Sequence, residues 1–327
     1  MARKLLTIIT LAAALCAGAQ TSQIATLLHD GQLTNFYSGS ALIQAYEAAV
    51  DGDVITLSSG MFNATDIKKN ITIRGAGMGL VEAGDKTLPT RISGNFEIDC
   101  PVSDTQHLTL EGIQSQNNDR IGIYTANNLI IEKCDIQTLE LYYRVQETRH
   151  NIAILQSNIG TCQNRYNGIN GTLTAINCIF NRPAYSSTSF DCNYSNCLIG
   201  TNDASFYVNY SSLSNCIING FSTNSTSISS NCSVNNCILS KCDYNYSNDS
   251  NKFVESPEEI FTEEGYYRLT DEAKAFLGTD GKEVGIYGGT LPFDTTPSNP
   301  QITKFNVSPK TTADGKLSVD IEVHGVE

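Results

Sequence analysis

One short pattern recurs through the middle of the chain and limits what it can fold into: Leu-x-Ile-x-x-Cys-x-Ile, usually with Asn before the Cys. With the Cys position as anchor, the anchors are Ile113, Cys134, Ser157, Cys178, Cys197, Cys216 and Cys237, spaced by 21, 23, 21, 19, 19 and 21 residues. A period near 20 means that each unit buries its apolar side chains only by stacking on its neighbours. Two positions after the anchor stand Ile136, Ile159, Phe180, Ile199, Ile218 and Leu239. Three before it stand Leu110, Ile131, Ile154, Ala175, Tyr194, Leu213 and Val234, and five before it Leu108, Leu129, Ile152, Leu173, Cys192, Ser211 and Cys232. On each side of the anchor the spacing is two, the period of a strand. Between the two sides the phase slips by one residue, so the chain must bend there.

At the bend stand Gly112, Asn177, Asn196, Asn215 and Asn236. Gly and Asn enter the left-handed backbone region at little cost. Lys133 and Gln156 break this rule, so their corners are expected to differ. Asn side chains at successive corners are expected to stack into an amide ladder. The Leu-x-x-Leu-x-Leu frame of a leucine-rich repeat is missing. The expected fold is therefore all-β: a single right-handed parallel β-helix of about 8–9 turns ending near Phe253.

The ends read differently. Ser40 is placed to cap a helix from Ala41 to Val50 with Leu42, Ala45 and Ala49 on one face, covering the open end of the solenoid. Asp51-Gly52-Asp53 then turns the chain into Val54-Ile55-Thr56-Leu57. Residues 20–293 form the helix domain with its caps. Residues 294–327 form a linker, from the two prolines between Asp294 and Pro300, and a short β tail at Ile302–Val307 and Leu317–Val323.

Residues 1–19 have the order of a signal peptide: Arg3 and Lys4, an apolar run from Leu5 to Leu15, then Ala17-Gly18-Ala19. Cleavage after Ala19 is favoured over lipidation of Cys16, because Leu15 is a poor residue before a lipidated cysteine. The chain is expected to be secreted or held at the cell surface, with no transmembrane segment. Loss of Arg3 and Lys4 leaves 19 basic against 34 acidic residues, a formal charge of −15. That charge argues against nucleic acid as a partner.

The segments Gly52-Asp53-Val54-Ile55-Thr56-Leu57, Gly60-Met61-Phe62 and Ile71-Thr72-Ile73-Arg74-Gly75-Ala76-Gly77 resemble the opening of secreted β-helix proteins of the pectate-lyase-like superfamily. Tyr267-Arg268-Leu269, Gly278-Thr279-Asp280-Gly281, Val284-Gly285-Ile286-Tyr287-Gly288-Gly289 and Pro292-Phe293 resemble the closing module of such proteins from Bacteroidetes. The resemblance implies fold and export. It leaves activity open, since that fold hosts lyases, hydrolases, esterases and non-catalytic adhesins.

Chemistry is sparse. Cys178, Cys197, Cys216 and Cys237 share an inward column and are expected as free thiols acting as small apolar filler, with disulfides the alternative. No spacing suggests a metal, and no cofactor is implied. Arg120, Arg144, Arg165 and Arg182 fall at similar distances before successive anchors, with Tyr143, Tyr166 and Tyr185 nearby. Such a ridge suits an acidic polysaccharide. In the lyases of the superfamily a cation neutralises the uronate while a base removes the C5 proton. Arg144 or Arg165 would neutralise, and His150, Arg149 or Tyr143 would serve as base. The competing reading is of solvated charges on loops of variable length. Two functions follow: a non-catalytic glycan-binding or adhesin-like β-helix, favoured by the nearly uncharged turns from Ala184 to Leu239, or a polysaccharide lyase using the arginines.

Overall fold

The computed structural model describes residues 23–84, 88–101, 103, 105–116, 118–142, 149–165, 170–184, 190–200, 207–220, 227–240, 250–263, 265–299, 301–311 and 314–324. Two sheets, one of 11 strands and one of 12, run down a parallel β-solenoid. Leu129–Glu132, Arg149–Leu155, Asn170–Ile176, Phe190–Ser195 and Ser211–Ser214 belong to the first sheet. Asp135–Leu141, Asn158–Asn164, Ile179–Arg182, Leu198–Ile199, Ile217–Asn219 and Ile238–Ser240 belong to the second. About seven turns stack in this way, close to the eight or nine expected.

The register follows the repeat residue by residue. Ile136 lies opposite Ile159, then Phe180, Ile199, Ile218 and Leu239 in successive coils. In the first sheet Leu110 lies opposite Ile131, then Ile154, Ala175, Tyr194, Leu213 and Val234. All of these side chains are buried. Full burial of each large one contributes about 1.5–3 kcal/mol, which is why the period holds the fold.

All seven corners are left-handed: Gly112, Lys133, Gln156, Asn177, Asn196, Asn215 and Asn236 have φ between 46° and 62°. Lys133 and Gln156, expected to differ, do not. Nor do the described corner amides bond to one another in a ladder. They grip the C-terminal segment, which runs back along them as a strap. Asn236 Nδ2 donates to the Leu277 carbonyl at 3.4 Å, and Asn215 Oδ1 accepts from the Thr279 amide at 2.9 Å. Asn177 Nδ2 donates to the carbonyls of Ile286 and Gly288, both at 2.8 Å. Gln156 Nε2 donates to the Pro292 carbonyl, and Lys133 Nζ to the Thr296 carbonyl at 2.8 Å. Asn299 Nδ2 reaches the Gly75 carbonyl at 2.7 Å. Gly288 has no room for a side chain, since a Cβ there would come within 2.8 Å of Asn196 Nδ2. The stretch from Asp294 to Asn299, read from its prolines as a linker, is thus bonded to the coils.

The strap belongs to a second core. Outward residues of the second sheet are polar at Gln114, Asp135 and Asn158, then apolar at Ile179, Leu198, Ile217 and Ile238. These last four are buried under Ile260, Leu269, Ala273, Val284, Ile286 and Phe293. Among the described residues, the Gln301–Thr311 and Leu317–His324 strands pair only with each other, antiparallel.

The first end is closed by more than a helix. The helix spans Ala41–Ala48 and buries Ala41, Leu42, Ala45 and Tyr46. It stops short of Val50, and Ser40 does not cap it: the Ser40 hydroxyl instead accepts from Asn63 Nδ2 at 3.3 Å. A hairpin of Ile24–His29 and Gln32–Tyr37 also covers this end, Ile24–His29 pairing antiparallel with Val54–Leu57. Asp30 and Gly31, both at positive φ, make its two-residue turn.

The anchor column is more than filler. The nine described cysteines are free thiols. The thiols of Cys134, Cys178, Cys197, Cys216 and Cys237 each donate to the carbonyl two residues back, at 3.2–3.3 Å. Ser157 does the same through its hydroxyl at 2.7 Å. The amide of Cys197 donates to Cys216 Sγ and that of Cys216 to Cys237 Sγ, both at 3.4 Å, while the Cys134 amide uses Ser157 Oγ at 3.1 Å. The bend leaves these buried amides without strand partners, so the column needs a small side chain that both donates and accepts.

Candidate functional site

Two outer surfaces present polar groups. The first carries part of the arginine set. Arg120–Thr125 pairs with Thr138–Leu141 on one side and Phe96–Asp99 on the other, aligning Gly122 with Glu140 and so Tyr124 with Tyr142. Tyr124 and Tyr142 stack at 4.6 Å and 10°. The Tyr142 ring lies on Gly122, where a Cβ would come within 3.2 Å of it.

At the centre is Glu140, a buried carboxylate. Arg120 Nη1 donates to its Oε2 at 2.8 Å; Arg165 Nε and Gln163 Nε2 donate to its Oε1 at 2.9 and 2.8 Å. The Tyr142 hydroxyl also donates to Oε2. Burial would raise the Glu140 pKa, but the hydrogen bonds from Arg165, Tyr142 and Arg120 outweigh it and hold it at about 2. Burial, then the bond to Glu140, raises the Tyr142 pKa. Glu140 is therefore an anion unsuited to receiving a proton at neutral pH, and it occupies the Arg165 fork and one nitrogen of Arg120.

Arg120, Arg165 and Arg182 lie on one outer face of the second sheet but not in a single column. Arg120 shares a column with Thr138, Thr161 and Arg182, two threonine rungs separating the arginines. Arg165 lies further along, level with Tyr142. Arg182 is exposed, and no carboxylate among the described residues pairs with it. His150 is buried, not surface-facing, because it continues the inward alternation of Ile152 and Ile154 along the same strand. Burial lowers its pKa. Arg149 starts the strand beside His150, level with Asn170. Tyr143, Arg144, Tyr166 and Tyr185 lie outside the described residues.

The second surface is the outer face of the first sheet, four and six positions before each anchor. Ile130, Ala153, Thr174, Asn193, Ser212 and Ser233 lie opposite one another in turn. Beside them run Asn151, Thr172 and Asp191. A shallow recess of about 440 Å³ is lined by His107, Asn128, Ile130, Asn151, Ala153, Thr172 and Thr174. A second, of about 290 Å³, continues the face at Asp191, Asn193, Tyr210, Ser212, Asn231 and Ser233. Rungs repeat every ~4.8 Å, so the face offers amides and hydroxyls at a fixed interval, with His107, Asp191 and Tyr210 the titratable groups among these lining residues. No pattern in the sequence singled these lining residues out. Their near-total lack of charge over several rungs was the available signal.

Among the described residues no group of His, Cys, Asp and Glu could hold a metal ion, and no helix is long and apolar enough to cross a membrane. Burial pushes the Cys134 thiol up to about 12, and the Cys197, Cys216 and Cys237 thiols well above their ordinary value, so they are poor nucleophiles. Comparison with family models, with curated proteins and with solved structures finds no match.

Proposed function

We propose that this chain is an exported, non-catalytic β-solenoid that binds an extended polysaccharide along the outer face of its first sheet. The observation that carries the reading is the pair of open recesses on that face, with their regular amides and hydroxyls, the larger one also lined by the apolar Ile130 and Ala153. Such a surface suits a chain of sugars, which offers hydroxyls and apolar ring faces in alternation. Export rests on the order of residues 1–19, and the resemblance to the pectate-lyase-like superfamily of Bacteroidetes is in keeping with both. The lyase alternative needs a free cation for the uronate and an accessible base. Of its candidates that are described, Arg165 is held by Glu140 and His150 is buried, which favours the non-catalytic reading.

The charge of −15 on the exported chain and the absence of any Lys or Arg lining the two recesses together point to a neutral glycan. The test is affinity gel electrophoresis through hydroxyethylcellulose, galactomannan, xylan, polygalacturonate and alginate, with absorbance of unsaturated products followed in parallel. Retardation by a neutral polymer without product formation is the expected result. Product formation from any of the polymers would overturn the non-catalytic assignment.

A further inference from the structure

The Gln32–Tyr37 strand ends the first sheet, and among the described residues no strand pairs with its outer edge. Exposed edges are normally blunted by a charge, a proline or a bulge. Gln32-Leu33-Thr34-Asn35-Phe36-Tyr37 has none of the three, and its pairing with Ile24–His29 is regular throughout. Leu33 and Tyr37 are 71% and 56% exposed, on the face away from the core, while Phe36 on the other face packs against it.

We propose that two copies of this protein pair antiparallel through this edge, joining their first sheets across a two-fold axis. The argument for a second copy is self-complementarity. In an antiparallel pair, residues directly opposite share a face, so the numbers of each pair must sum to an even value. Among such registers the one centred on Asn35 sets Leu33 of each strand against Tyr37 of the other, and Thr34 against Phe36. Both exposed apolar side chains then gain an apolar neighbour, and Asn35 meets its own copy. Registers centred on Thr34 or Phe36 set Leu33 or Tyr37 against Asn35. The pairing is independent of any glycan.

Sedimentation of the full chain tests it, with Asn35→Asp and Asn35→Lys as variants; Asn35 is exposed, so neither disturbs the core. The wild type is expected to form a dimer as its concentration rises to about 100 µM. Each variant alone should be monomeric, because like charges would face each other on the axis. An equimolar mixture of the two should restore the dimer. A wild type that stays monomeric, variants that dimerise alone, or a mixture that fails to dimerise would each overturn the proposal.

Discussion

Asn177 separates two contributions that its corner combines, left-handed backbone and grip on the strap. It is buried, at φ 52°, and donates two hydrogen bonds of 2.8 Å to the Ile286 and Gly288 carbonyls. Asn236 has almost the same φ, 51°, but is only half-buried and makes one bond of 3.4 Å. Asn177→Gly keeps the backbone and loses both bonds, each with a net value of about 1 kcal/mol. Glycine's added freedom in the unfolded chain costs roughly another 0.5–1 kcal/mol, giving about 2.5–3. Asn236→Gly should cost only about 1 kcal/mol, most of it the glycine contribution. Asn177→Val replaces the glycine contribution with a left-handed strain of about 1–2 kcal/mol, more for a β-branched residue, so its loss should be about 3–4. Urea unfolding followed by circular dichroism measures all three. Equal losses for Asn177→Gly and Asn236→Gly would refute the strap account, and a harmless Asn177→Val would refute the corner account.

Three further outcomes follow from the same geometry. Cys216→Ser should keep most of the stability, whereas Cys216→Val should lose about 1–3 kcal/mol by leaving the buried Cys197 amide and Ser214 carbonyl unpaired; chemical unfolding would show the reverse order if the column were mere filler. His150 has its pKa lowered from 6.5 by burial, so the unfolded chain takes up the proton first: the His150 contribution to stability should be constant above pH 6.5 and fall below it. His150→Leu should flatten that part of the melting-temperature profile, and an unchanged slope would contradict the assignment. Glu140, held at about 2, stays ionised in the folded protein at every pH of practical use. Glu140→Ala should release the Arg120 and Arg165 forks and give salt-sensitive retention on polygalacturonate, and unaltered migration would show that those arginines are not free to bind even then.

The inward columns were legible because burial imposes a period that no loop can shift: Ile136 to Leu239 could be aligned by counting. The corners were legible at Asn and Gly. Lys133 and Gln156 were misjudged because their left-handed strain is offset by bonds to Thr296 and Pro292, at sequence separations of 163 and 136. No local pattern encodes such contacts. The second core left a trace that was passed over, the change from Asp135 and Asn158 to Ile179, Leu198, Ile217 and Ile238 at one outward position. Asp30-Gly31 likewise marked the hairpin. The arginine alignment counted across loops of unequal length, so it reached the outer face shared by Arg120, Arg165 and Arg182 without their exact columns, and Glu140, between Leu139 and Leu141, had no sequence mark of its partners. Outer-face residues bear on no core, so periodicity could place the recesses without saying what fills them.

The most direct test of the glycan-binding account is to fill the larger recess and measure retention. Thr174→Tyr and Ala153→Tyr place a ring over the strip lined by Asn151 and Thr172, on an outward face where the core is untouched. Affinity electrophoresis should show the wild type retarded by a neutral polysaccharide equally at about 50 and about 500 mM salt, since no charge pair is involved. Both variants should migrate as they do in gels without polymer, with melting temperatures unchanged. Retardation that survives both substitutions, or that disappears with salt, would contradict the account.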